Sequence, residues 1–137
     1  MKPIVFLDTN VVIDFFMARK PFSIEADKLF QLRTDNRLDF CLSALTLANL
    51  AYHANRNGKS PFAVINTFLN WVEVIDLDKD IFSKTITSGF KDFEDGLQYF
   101  SALKVKGVDA IITRNEKDFK LSKIPVLSPR EFLKSFS

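Results

Sequence analysis

The feature that most constrains the fold is a series of short apolar runs separated by segments with helical periodicity. The runs lie at residues 3–7, 38–43, 72–77, 109–113 and 124–127. Helix-spaced segments lie at 10–17, 23–32, 43–57, 61–71, 80–90, 92–104 and 129–136. Short strands that are apolar on both faces and alternate with helices indicate a parallel sheet covered on both sides. The sequence therefore predicts an α/β fold, a three-layer α/β/α sandwich with a four- to five-stranded, mainly parallel sheet.

The composition is that of a single globular domain over residues 1–137. The chain is 47% apolar and contains 15 Phe, an unusually heavy aromatic load for a core of this size. Its net charge of +2 excludes the strong basic field that is typical of many nucleic-acid-binding domains. The charge is uneven, because residues 104–137 hold eight Lys/Arg against four Asp/Glu. This bias indicates a mildly basic C-terminal quarter.

Cysteine and histidine are too scarce for several common kinds of site. The single Cys41 excludes an intrachain disulfide, and with the single His53 it argues against a metal site built from N and S ligands. We expect both residues to be structural. No secretory signal and no long uninterrupted apolar segment is apparent, so we expect a soluble cytoplasmic protein with no membrane partner.

Acidic and hydroxyl residues follow two of the predicted strands. In the stretch IVFLDTN, Asp8 comes directly after the first strand, and Thr113 ends the fourth. The carboxyl ends of parallel strands meet at one edge of a sheet, and sites form there near a reversal of strand order. Asp109 instead opens its strand and is expected at the opposite edge. The sequence therefore predicts a site near Asp8.

Two further acids have a similar context, and each of the three also has a purely structural interpretation. Asp8 could cap the following helix. Asp95 lies three residues after Asp92, the spacing of an N-cap pair at a helix start. Asp118 could belong to a short turn capped by Asn115. On the pattern alone, capping and catalysis remain open for these acids.

A shared site for three carboxylates would require a cation, because like charges raise each other's pKa values. Mg²⁺ prefers oxygen ligands, retains several waters and needs only one or two direct carboxylates. Such an ion can activate water and stabilise the transition state of phosphodiester hydrolysis. Aspartyl phosphorylation fits less well, since Asn10 occupies the second acidic position of a D-x-D motif.

Four segments together resemble the PIN-domain (PilT N-terminal) family, which includes the VapC-type ribonuclease toxins of bacterial toxin–antitoxin pairs. These segments are IVFLDTNVVID, SALTLANLAY, DFEDGLQYFSAL and GVDAIITRNEKDF. Their order and spacing are intact over essentially the whole chain. The resemblance implies an α/β/α sandwich, an acidic metal site and Mg²⁺- or Mn²⁺-dependent cleavage of RNA. It also implies an antitoxin protein and a homodimer as candidate partners.

The resemblance also assigns expected roles to individual residues. The first family acid falls on Asp8, and the acid that opens the later helix falls on Asp95. The third acid falls on either Asn115 or Asp118, and Asp118 is favoured because it is the carboxylate. Thr113 matches a small hydroxyl residue that lines such sites. We therefore expect Asp8, Asp95 and Asp118 to hold Mg²⁺ or Mn²⁺.

One position departs from the family pattern, because Asn49 stands where many members carry Glu. Thr46, Asn49 and His53 form a polar stripe on an otherwise apolar helix and could face the same pocket. Asn49 offers a carbonyl oxygen but no charge, or it is a buried amide satisfied by the backbone. The site then holds at most three of the usual four acids. A PIN domain that binds RNA or protein without cutting is the alternative function.

Several polar residues near the predicted site are candidates for contact with RNA. Asn10 matches a polar residue that supports the first acid, and we expect it to contact the substrate. Arg114, Asn115 and Lys117 follow the fourth strand, where they could reach phosphates of the RNA. A simple solvated face is the structural interpretation of the two cations.

Overall fold

A five-stranded parallel sheet forms the centre of the protein. The computed structural model describes residues 2–136. Its strands are β1 (Ile4–Leu7), β2 (Asp39–Ser43), β3 (Glu73–Ile75), β4 (Ala110–Ile112) and β5 (Val126–Leu127). Their order across the sheet is β3-β2-β1-β4-β5, and every neighbouring pair is parallel. The predicted parallel α/β architecture is confirmed, with five strands.

Helices connect the strands at the predicted places. They are α1 (Thr9–Phe16), α2 (Ser23–Thr34), α3 (Ala44–Arg56), α4 (Pro61–Leu69), α5 (Lys79–Ile86), α6 (Phe93–Ala102) and α7 (Pro129–Phe136). A 3₁₀ turn spans Glu116–Phe119. Within residues 2–136, no helix has both the length and the apolar character needed to cross a bilayer.

Helices α4, α5 and α6 end two to four residues earlier than predicted, and in α4 and α5 polar side chains bond carbonyls of the last turn. Helix α5 was expected to reach residue 90, but the Ser88 hydroxyl donates to the carbonyl of Thr85 at 2.7 Å. Helix α4 was expected to reach residue 71, and the Asn70 amide donates to the carbonyl of Asn66 at 3.0 Å. Side chains of this kind compete with the backbone for hydrogen bonds and so favour helix ends.

The apolar core lies in two clusters, and phenylalanine contributes to both. In the larger cluster, Phe30 stacks on Phe15 with ring centroids 3.8 Å apart and meets Phe40 edge-on at 4.8 Å. The second cluster contains the buried Phe6 and Cys41. Burial raises the pKa of the Cys41 thiol to about 12, so this thiol stays protonated and packs as part of the core.

The strand order opens a site beside β1 and β4. The chain moves from β1 to β2 and β3 on one side, and then crosses to β4 on the other side of β1. This reversal separates the connections that leave the carboxyl ends of the two strands. Asp8 follows β1 and Thr113 follows β4 at this carboxyl edge. Asp109 lies at the opposite edge, where its carboxylate accepts a hydrogen bond from the Ile4 backbone N–H at 2.8 Å.

Candidate active site

Asp8 is a nearly buried carboxylate at the carboxyl edge of the sheet, with 7% of its surface exposed. Its Oδ1 accepts hydrogen bonds from the Thr9 backbone N–H at 2.9 Å and from Gln98 Nε2 at 3.0 Å. Its Oδ2 accepts from Thr113 Oγ1 at 2.8 Å and from Asn10 Nδ2 at 3.4 Å. Asp8 therefore caps α1, and its carboxylate is held in one orientation facing a cleft.

Gln98 is one of two residues at the candidate site that sequence reasoning missed. It projects from α6, is only 2% exposed and lies 90 positions from Asp8 in the chain. Its Nε2 also donates to Thr46 Oγ1 at 3.0 Å, and its Oε1 accepts from the Ser43 hydroxyl. The available signal was an amide three residues after Asp95, on a helix that is otherwise apolar there. Its partners depend on tertiary structure and could not be read from that pattern.

An open cleft of about 320 Å³ brings most of the predicted site residues together. We call it the acidic cleft. The predicted residues on its walls are Asp8, Asn10, Asn49, Asp95 and Asn115. Its other charged or ionisable residues are Arg19, His53, Asp92 and Glu94. Residues from distant segments of the chain therefore meet at the carboxyl edge of the sheet.

Asp118 and Lys117 lie in a second cavity of about 380 Å³ beside the acidic cleft. Asp92 and Asp95 line both cavities, which makes the two spaces neighbours. Asn115, the alternative position for the third acid, lines the cleft that contains Asp8. Its side chain makes no capping hydrogen bond to the following 3₁₀ turn.

Asp95 lies in a strongly negative environment. Burial, followed by the charges of Asp92, Asp8, Asp118 and Glu94, raises the pKa of Asp95 to about 7. The Asp92 carboxylate caps α6 by accepting the Asp95 backbone N–H at 3.0 Å. Capping therefore explains Asp92, whereas the half-buried Asp95 carboxylate is left facing the two cavities.

The donor set of the acidic cleft suits a hydrated hard cation. Its side chains offer carboxylate and amide oxygens, which Mg²⁺ and Mn²⁺ prefer. Within residues 2–136, no three Asp, Glu, His or Cys side chains are grouped closely enough to hold one ion. A cation bound by one or two carboxylates and several waters does not need such a group. It would also relieve the repulsion that raises the pKa of Asp95.

The predicted polar stripe of α3 does face this region. Thr46 is fully buried and forms a hydroxyl–hydroxyl hydrogen bond with Thr9 at 2.8 Å. Asn49 and His53, both partly exposed, lie on the wall of the acidic cleft. Asn49 therefore occupies the cleft wall with a neutral amide where a glutamate would add a charge.

Two arginines are fixed beside the cleft by a buried acid in α1. Asp14 is 1% exposed and pairs with Arg19 Nε at 2.8 Å and with Arg114 Nε at 2.6 Å. Arg19 lines the acidic cleft, whereas Arg114 stacks over the Phe22 ring, 3.9 Å from its centroid, and lines a separate cavity. Sequence reasoning selected Arg114 and missed Arg19. The acid inside the apolar segment VVIDFF was the signal for such a partner.

Comparison with known proteins gives concordant matches in sequence and in fold. A PIN domain family model matches residues 4–117. Ribonuclease VapC1 of Aquifex aeolicus is 31% identical over 137 residues, which cover 93% of this chain and 92% of the relative.

Solved structures of toxins have a similar fold. A toxin–antitoxin complex from Klebsiella pneumoniae matches with a TM-score of 0.66 and 22% identity, over 91% of this chain and 97% of the other. VapBC2 from Rickettsia felis, bound to a promoter DNA fragment, matches with a TM-score of 0.60 and 20% identity, over 91% of this chain and 97% of the other. VapC20 from Mycobacterium tuberculosis, a sarcin–ricin loop cleaving toxin, matches with a TM-score of 0.58 and 16% identity, over 78% of this chain and 86% of the other.

Proposed function

The chain belongs to the PIN-domain family, and on this basis we propose that it is a metal-dependent endoribonuclease of the VapC type, the toxin of a toxin–antitoxin pair. The observation that carries the proposal is the placement of Asp8 and Asp95 on one cleft at the switch point of the sheet. The similarity to a curated VapC ribonuclease supports the reaction type. The proposed place of action is the cytoplasm.

Asp8 and Asp95 are the proposed direct ligands of Mg²⁺ or Mn²⁺, and Asp118 acts through a water from the neighbouring cavity. When bound, the cation supplies an activated water and offsets negative charge on the phosphodiester. Thr113 orients Asp8 through its hydrogen bond to Oδ2 at 2.8 Å, and Asn10 lies beside the same oxygen at 3.4 Å. A bound cation would take the place of the proton on Asp95, whose pKa is raised to about 7 by burial and the surrounding acids.

The RNA would lie across the acidic cleft and the cavity beside it. Arg19 lines the cleft and is held by Asp14, so it can meet a phosphate without losing its position. The second cavity carries three lysines, Lys91, Lys117 and Lys120. Asn49 and Asn115 offer neutral amides to the substrate or to a water on the cleft wall. Arg114 contributes indirectly, because it shares Asp14 with Arg19.

Cleavage of a labelled single-stranded RNA in Mn²⁺ tests this function. We expect metal-dependent cleavage that a chelator abolishes, and a loss of two or more orders of magnitude in Asp8→Asn because the charge at the site is removed. Asp109→Asn makes the same chemical change at the opposite edge of the sheet and should retain activity. Equal cleavage by wild type and Asp8→Asn, with both proteins folded, would refute the assignment.

Asn49 favours one other function, a PIN domain that binds RNA or protein without cutting. The amide leaves the cleft with one charge fewer than the family pattern, which weakens cation binding. Introducing the acid with Asn49→Glu discriminates between the two functions. Gained Mn²⁺ affinity and gained cleavage would indicate a weakened nuclease, whereas no change in either would indicate a non-enzymatic module.

An antitoxin protein is the partner that we propose. The Klebsiella pneumoniae structure is a toxin–antitoxin complex, and its chain resembles this one over 91% of the length. A homodimer, which the resemblance to the family also implies, stays a prediction.

A further inference from the structure

The amide of Gln98 is buried beside Asp8, and all its polar atoms have partners. An amide taken out of water is destabilising unless its hydrogen-bonding groups are satisfied. Gln98 Nε2 contacts Asp8 Oδ1 at 3.0 Å, Thr46 Oγ1 at 3.0 Å and Thr9 Oγ1 at 3.2 Å. Its Oε1 accepts the hydrogen bond of the Ser43 hydroxyl. The side chain therefore joins α6 to the ends of β1 and β2.

The direction of the hydrogen bonds fixes which end of the amide faces Asp8. The Thr46 backbone N–H donates to Ser43 Oγ at 3.2 Å, which leaves the Ser43 hydrogen free to donate to Gln98 Oε1. An ionised carboxylate can only accept hydrogen bonds. A reversed amide would place Oε1 of Gln98 against Oδ1 of Asp8, with no proton between them. Gln98 is therefore held with its N–H pointing at Asp8.

The two oxygens of Asp8 are unequally occupied as a result. Each carboxylate oxygen offers about two lone-pair positions. Oδ1 accepts two well-formed bonds, from Thr9 N at 2.9 Å and Gln98 Nε2 at 3.0 Å. Oδ2 accepts one short bond, from Thr113 Oγ1 at 2.8 Å, and a long one from Asn10 Nδ2 at 3.4 Å. The long contact is near the limit of a hydrogen bond, so Oδ2 is the oxygen that has a lone-pair position available for a cation.

We propose that Gln98 is a positioning residue that occupies Oδ1 of Asp8 and so directs divalent-cation binding to Oδ2 alone. This inference rests on the proposed metal-dependent function and deepens it. Thr113 keeps its bond to Oδ2, while the long contact from Asn10 yields to the ion. Without Gln98, Oδ1 loses one of its two donors, so the carboxylate is held less firmly and Oδ1 also has a position for the ion.

Titration calorimetry with Mn²⁺ alone tests the role of Gln98 without reliance on catalysis. Gln98→Met keeps the size of the side chain and removes its donor, and we expect Mn²⁺ to bind about 10–100-fold more weakly, as with other residues that orient metal ligands. Gln31→Met is the matched control, because Gln31 is exposed on α2 and bonds Asp35 there at 3.0 Å. It should leave the Mn²⁺ dissociation constant unchanged.

The outcomes separate this inference from the proposed function. If Asp8→Asn binds Mn²⁺ as well as wild type does, the proposed metal site fails and this inference falls with it. If Asp8→Asn loses binding while folded Gln98→Met keeps wild-type affinity, the metal site stands and the role of Gln98 is refuted. Gln98→Met leaves the Ser43 hydroxyl with only its long contact to Thr46 Oγ1 at 3.5 Å, which is the main risk to the folding of this variant.

A crystal structure of the wild-type chain with Mn²⁺ decides the question even if Gln98→Met unfolds. The expected result is an ion on Oδ2 of Asp8, with the Gln98 amide still donating to Oδ1. An ion on Oδ1, or on both oxygens with the amide displaced, would overturn the proposal.

Discussion

Asp95 shows how one side chain responds to the charge around it. The carboxylates of Asp92, Asp8, Asp118 and Glu94 all act in the same direction as its burial, and together they raise its pKa to about 7. Near neutral pH, Asp95 of the metal-free protein therefore still binds a proton that an ordinary Asp would have lost. A cation in the cleft would take the place of this proton.

The pH dependence of stability follows from that shift. Unfolded Asp has a pKa of about 3.9, so between roughly pH 4 and pH 7 the folded chain binds more protons than the unfolded chain. Without metal, this contribution to stability is fully present below about pH 4 and is lost as the pH rises through about 7. Asp95→Asn should remove that fall, measured as urea unfolding free energies in chelator at several pH values. Parallel pH curves for the two proteins would contradict the assignment.

At the residue scale, sequence reasoning located acids more reliably than the groups that hold them. Asp8 and Asp95 could be predicted because strand ends and helix starts are local patterns. Capping and a site role are alternatives on the sequence pattern, but the two are compatible at Asp8, since it caps α1 and also faces the acidic cleft. Gln98 and Arg19 were missed because their importance comes from partners that only the folded chain brings near.

At the scale of elements, α6 supplies residues of the candidate site and also packs closely against α5. Its buried face presents Gln98 to Asp8, while Gly96 on the same helix packs against α5. A Cβ added at Gly96 would lie 2.7 Å from Thr85 Cγ2, and Thr85 is only 5% exposed. The absence of a side chain at this position therefore sets how closely α5 approaches α6.

Gly96→Ala is expected to destabilise the chain despite the higher helix propensity of alanine. Overpacking a buried contact costs about 1–3 kcal/mol, and the propensity gain of about 1 kcal/mol offsets only part of it. Thr85→Ser removes the obstructing methyl and keeps the hydroxyl that donates to the Ile81 carbonyl at 2.8 Å. Urea unfolding of the two single variants and the double variant should show rescue in the double. Equal destabilisation by Gly96→Ala in both backgrounds would argue against this contact.

The elements themselves were largely predictable from periodicity, and their ends were less so. Apolar runs and helical spacing gave the order of all five strands along the chain. The side chains of Asn70 and Ser88 bond carbonyls at the ends of α4 and α5, and the spacing of apolar residues does not show such bonds. Capping choices of this kind differ by small energies, and local sequence leaves them open.

At the scale of the whole molecule, topology rather than net charge creates the candidate site. With β1 between β2 and β4, the strand order reverses where Asp8 and Thr113 emerge. The net charge of +2 gave no sign of a nucleic-acid enzyme. Acids from distant parts of the chain form a negative cleft whose position follows from this order, and lysines line the cavity beside it. Sequence alone fixed neither the strand order nor the distances between these groups.

The most direct test of the central claim is the shift in melting temperature that Mn²⁺ produces. A ligand that binds only the folded chain stabilises it by about 2.7 kcal/mol at 100 times its dissociation constant, or roughly 5–10 °C for a chain of 137 residues. We predict this rise for wild type and for Asp109→Asn, and its loss in Asp8→Asn. No rise in wild type, or the same rise in folded Asp8→Asn, would contradict a cation site at Asp8.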